Sequence, residues 1–127
     1  MNNNLLKTLC NQLPYGLKLQ TQGSEIGLLT CIDLYCNEIE LEGEEDNMLR
    51  LSWGEYKPIL RDLSDSREEI RMLLNIHIEA DLDFVIENPL NFNYNELEKL
   101  IKNHYNVFGL KPNEYINVKD LETNPYK

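Results

Sequence analysis

The side chains best placed to do chemistry are acids. Glu38, Glu40, Glu42, Glu44, Glu45 and Asp46 lie within nine positions of one another. Grouped carboxylates can hold a hard cation through oxygen or receive a basic partner protein. Residues 38–42 read Glu-Ile-Glu-Leu-Glu, so a strand there turns three acids to one face and Ile39 and Leu41 to the other. The spacing matches no calcium loop. The plainer reading is a solvated, charge-blocked sheet face that resists edge-to-edge aggregation. A small hydrolase built on these acids ranks last among the functions considered.

Other chemistry finds little support. His77 and His104 stand alone, and the sequence has neither a His-x-x-x-His nor a Cys-x-x-Cys pair to make a zinc site. Cys10, Cys31 and Cys36 form no disulfide framework and read as buried thiols in a reducing compartment. The six glycines are scattered, so neither a Walker motif nor a dinucleotide fingerprint can be assembled. No cofactor, metal or catalytic set is expected.

Two further groups are candidates for binding. Asp33 and Asn37 flank Tyr35 in the phrase IDLYCN, where Asx residues serve either a local turn or a ligand. Tyr35, Trp53 and Tyr56 could form an aromatic contact patch or pack in the core with their polar tips satisfied.

The elements that must position these residues follow from periodicity. Leu5, Leu6, Leu9 and Leu13 recur at helical spacing over residues 2–13, with Asn3 or Asn4 as cap and Pro14 as stop. Strands are predicted over 15–21, 26–36, 38–42, 48–53 and 57–61, with Pro58 pushing the last to an edge or a bulge. In 26–36, simple alternation puts Leu29, Cys31, Asp33 and Tyr35 on one face. Gly27 is a candidate bulge. A helix from Ser64-Asp65-Ser66 to about Ala80 carries Ile70, Leu73, Leu74 and His77 on one stripe. Residues 82–87 suit either a strand or a buried helical segment. A last helix opens at Asn93 or Asn95, carries Leu97, Leu100, Ile101, His104 and Tyr105, and stops at Phe108-Gly109. Residues 115–118 suggest a short strand, and the tail is polar.

This predicts an α+β fold: an N-terminal helix, a four- or five-stranded antiparallel barrel-like sheet, then two C-terminal helices. One domain over 1–127 is expected, with helix and sheet in 1–63 and a helical part in 64–127. At 127 residues and 42% hydrophobic, the chain can bury a core without a staple. A net charge of −10 disfavours duplex DNA and anionic lipid. No secretory signal or membrane span is visible, which points to the cytoplasm.

Two resemblances add context. Gly27, Leu29, Asp33 and Asn37 resemble the first signature of Sm-like proteins, a family of small five-stranded barrels behind an N-terminal helix. That likeness implies a base-binding loop at Asp33 and Asn37 in a ring-shaped oligomer. The family's second signature, an Arg-Gly near the fourth strand, is missing, since Leu51 follows Arg50. More broadly, LPYGLKL at residues 13–19, IDLYCN at 32–37, KPILRDLSD at 57–65, HYNVFGL at 104–110 and NPYK at 124–127 resemble a group of small proteins carried by phages and prophages of Bacteroides-type bacteria. Residues 76–92 depart from that group. The resemblance implies an accessory protein of a phage or mobile element acting in the bacterial cytoplasm, and it carries over no catalytic or binding residue. The expected function is therefore non-enzymatic binding of a host or phage protein, of basic character, acting on host defence. An Sm-like homo-oligomer that binds a nucleotide or single-stranded RNA is the alternative.

Overall fold

The computed structural model describes residues 2–127. The first helix, α1 (Asn3–Gln12), is capped one position earlier than expected. Asn2 accepts from the amides of Asn4 and Leu5, and Leu9 and Gln12 turn inward. Leu13, Pro14 and Tyr15 add one 3-10 turn, and Gly16 closes it in the left-handed region at φ 75°.

Five strands follow: β1 (Lys18–Thr21), β2 (Ile26–Asp33), β3 (Glu38–Glu42), β4 (Met48–Ser52) and β5 (Tyr56–Leu60). A two-residue β6 (Ile116–Asn117) joins β5 in parallel, and the order is β4-β3-β2-β1-β5-β6. The expected α+β class and order are thus those of the structure, with one more strand in the sheet.

The sheet curls but stays open. Only Trp53, Gly54 and Glu55 connect β4 to β5, in a turn where the Glu55 amide donates to the Ser52 carbonyl at 3.2 Å. In a flat sheet those strands would lie four spacings apart, about 19 Å. Four residue steps reach at most about 14 Å. The sheet must roll up to bring them together, which accounts for the barrel-like pattern. Among the described residues no ladder joins β4 to β5, so the barrel is not closed.

The rolled interior holds Leu17, Leu19, Leu29, Ile39, Leu41, Tyr56 and Leu60, with Leu9 of α1 in the same cluster and Leu49, Leu51 and Trp53 against it. The strict alternation expected of β3 is observed. That of β2 is not. The register with β3 slips between Leu29 and Cys31, so Leu29 and Ile32 both reach the core while Cys31 faces out. Gly27 is not the bulge. Its missing side chain admits β3 instead, because a Cβ there would lie 3.1 Å from the Glu42 carbonyl. All three cysteines are exposed, which corrects the expectation of buried thiols. Pro58 pairs with Leu19 of β1, and β6 joins only beyond it, at Ile59.

The expected helix from residue 64 to 80 is broken. Asp62 caps a 3-10 turn, α2 (Arg67–Leu74) follows, and Asn75 ends it in the left-handed region at φ 55°. His77 is exposed rather than on the apolar stripe. Residues 82–87 belong to a separate helix, α3 (Glu79–Glu87). Arg67 ties α2 to α3 through Glu79 at 2.9 Å and Asp83 at 2.8 Å. The last helix, α4 (Tyr94–Lys102), is capped by Asn93 and ends well before Gly109. Three helices therefore follow the sheet rather than two. They enclose a second cluster of Leu63, Ile70, Leu74, Leu82, Val85, Leu100 and Tyr105. The halves interlock, since Leu110 and Tyr115 enter the sheet core and Tyr15 packs on the helical cluster. Among the described residues no helix is long and apolar enough to cross a membrane.

Candidate binding face on the sheet

The side-chain arrangement most suited to binding lies on the convex side of the β2–β3–β4 ladder. Strand pairing sets Glu40 opposite both Cys31 and Arg50, and Glu38 opposite Asp33 and Ser52. Alternation turns these side chains away from the core. Arg50 reaches across them, with its guanidinium 3.3 Å from Asp33, 3.3 Å from Glu38 and 3.4 Å from Glu40. Three of the expected residues, Asp33, Glu38 and Glu40, are thereby organised around one cation. The groups remain open to solvent, so the gain lies in shape more than in stability.

The turn beyond β2 is held from below. Asp33 Oδ1 accepts from the Tyr35 amide at 3.0 Å and from the Cys36 amide at 3.0 Å. These bonds, led by that from Cys36, and the nearby Arg50 hold the Asp33 carboxyl below the usual carboxylate range. Asn37 takes the left-handed conformation at φ 56°, which Asn tolerates well. Asp33 and Asn37 therefore serve the local turn. Above it, Tyr35 is 98% exposed and Leu34 58%. Asp33 also raises the Cys36 thiol pKa, so Cys36 is not an activated nucleophile.

The remaining acids lie elsewhere. Glu42 pairs opposite Met48 at the far end of β3. Glu44, Glu45 and Asp46 form the β3–β4 turn, where Glu45 and Asp46 have φ of 57° and 60°. The Glu44 amide donates to Glu25 at 3.0 Å. Among the described residues no group of three or more His, Cys, Asp or Glu converges to hold a metal ion.

Trp53 and Tyr56 do not join Tyr35 in a surface patch. They meet edge to face, 6.0 Å between ring centres, against the sheet core. Trp53 Nε1 and the Tyr56 hydroxyl are buried without a partner. Burial raises the Tyr56 pKa steeply, so its hydroxyl stays protonated.

A polar cluster at the junction of the two halves escaped sequence reasoning. Gln12 donates to the Tyr105 carbonyl at 3.2 Å, and its Oε1 faces His104 Nδ1 at 3.1 Å. The acceptor oxygen places the imidazole proton on Nδ1. The Tyr126 ring stacks on His104 at 3.7 Å. The Tyr126 hydroxyl donates to the Ile59 carbonyl at 2.6 Å and accepts from the Lys18 amide at 2.9 Å. Burial, with Arg61 and Lys18 nearby, pushes the His104 pKa down to about 4. This cluster is closed and bonded within the chain, so it reads as structural.

No protein-family model, curated protein or solved structure matches the chain.

Proposed function

We propose that the chain is a non-enzymatic binding module that presents the Leu34–Tyr35 tip and the adjoining acidic face to a basic partner protein. The observation that carries this reading is Tyr35, 98% exposed on a turn that Asp33 ties down. A large aromatic held out on a braced turn loses little freedom on binding, and tyrosine anchors many interfaces. Three of the organised side chains beside it are acids: Asp33, Glu38 and Glu40. They favour a basic partner and steer its approach. In the bacterial cytoplasm of the phage or mobile-element setting, that partner is a host or phage protein.

Asp33 bears on the Sm-like alternative. Its carboxylate is already taken by two amides and Arg50, which leaves little for a nucleotide base. Co-purification from a Bacteroides-type host at low salt tests the proposal. A retained protein should bind about 30-fold more weakly to Tyr35→Ala, the loss expected of an interface anchor. Retention of nothing, or equal retention by the variant, would overturn the reading. A nucleotide-induced rise in melting temperature, in an oligomer, would transfer it to the alternative.

A further inference from the structure

The outer edge of β4 has a chemistry of its own. The Gly43 amide donates to the Asn47 carbonyl at 2.7 Å, which makes those two residues a bonded pair of the β3–β4 hairpin. Bonded and non-bonded pairs alternate along an antiparallel ladder. Leu49 and Leu51 therefore bond β3, while Met48, Arg50 and Ser52 direct their amides and carbonyls outward. Ser52 agrees independently, since its amide donates to the Glu55 side chain at 2.7 Å and its carbonyl accepts from the Glu55 amide at 3.2 Å. Glu55 thus closes one end of the edge. Met48 and Arg50 keep an open ladder site of two amides and two carbonyls, with Met48 itself 55% exposed.

We infer that this edge accepts an extended basic segment of the partner protein as an added strand. The inference rests on the binding reading above and names the kind of segment recognised. Charge selects the occupant. A strand laid beside β4 projects alternate side chains over the face that carries Glu38, Glu40 and Glu42, around an Arg50 already engaged by three acids. Its immediate neighbours on that face are Met48, Arg50 and Ser52. The attraction therefore comes from the net charge of the face, where Asp33, Glu38, Glu40 and Glu42 outnumber Arg50, rather than from a direct cross-strand pair. A second copy fits poorly. In the antiparallel register that sets Met48 against Ser52, the two net-acidic faces adjoin and repel. Backbone pairing gives such a site its affinity, and every second side chain gives it specificity.

The test uses the full chain and a capped heptapeptide of alternating lysine and threonine, with amide hydrogen exchange at Met48 and Arg50 as the readout. Exchange should slow about tenfold at both amides. The same peptide N-methylated at its ladder-facing amides, or carrying glutamate for lysine, should slow it less than twofold. No slowing, or equal slowing by either control, would overturn the inference. Protection of both amides in a peptide-free dimer would give the edge to a second copy and also overturn it. Tyr35→Ala separates the two proposals. Peptide pairing that survives it while host-protein binding is unchanged by it sinks the tip reading alone. Host binding that depends on Tyr35 without edge protection sinks this inference alone.

Discussion

At the residue scale, His104 links the fold to pH. Its imidazole is 8% exposed and stacked on Tyr126, and burial lowers its pKa from 6.5 to about 4. The unfolded chain therefore takes up the proton first as pH falls. The stabilisation is fully present above about pH 6.5 and is lost on the way down to about 4. The drop amounts to about 3 kcal/mol. His104→Asn keeps a residue that tolerates the left-handed backbone at φ 65° and removes the titration. Urea midpoints from pH 7 to pH 4 should fall less steeply for the variant. An identical slope would assign the pH dependence to other groups. The sequence put His104 on the apolar face of the last helix, whereas it lies past the end of α4, beside Gln12. It could not show Tyr126 above it, because the partners of that hydroxyl lie 67 and 108 positions away and the tail looks merely polar.

At the element scale, regular alternation was legible and its interruptions were not. Residues 38–42 announce β3 because every second side chain is an acid. In β2 the slip between Leu29 and Cys31 changes the phase without changing the composition, so simple alternation misplaces Asp33 and Tyr35 relative to the core. The break at Asn75 is hidden in the same way, since Ile76 beyond it is still buried and the apolar pattern runs on. Gly27 tests how tightly β2 and β3 are joined. Gly27→Ala would press a methyl group toward backbone, the Glu42 carbonyl at 3.1 Å and Leu41 Cβ at 3.2 Å, with no flexible side chain to yield. A loss of about 1–3 kcal/mol in urea unfolding, with unchanged m, is expected. A neutral result would mean that the two strands part readily there.

At the scale of the whole molecule, the two cores should melt as one. The C-terminal residue pair Leu110 and Tyr115 fills the sheet core, and Tyr126 bonds β1 and β5 while stacking on His104. Trp53 fluorescence reports the sheet, and far-ultraviolet dichroism is dominated by the helices. Their unfolding midpoints should coincide. Tyr126→Phe should lower both together by about 1–2 kcal/mol, because the Lys18 amide and Ile59 carbonyl lose their partner. Separate transitions would show two bodies folding on their own. The chain passes from sheet to helix between Leu60 of β5 and Arg67 of α2, and later segments at Leu110, Tyr115 and β6 return to the sheet.

The exposed thiols have a practical consequence. Cys10, Cys31 and Cys36 all face solvent, so stored protein can cross-link between molecules through air oxidation. Light scattering without reductant would then report a covalent artefact as an assembly. The same accessibility makes Cys36 a convenient attachment point for a fluorescent reporter, one residue from Tyr35, once Cys10 and Cys31 are changed to serine.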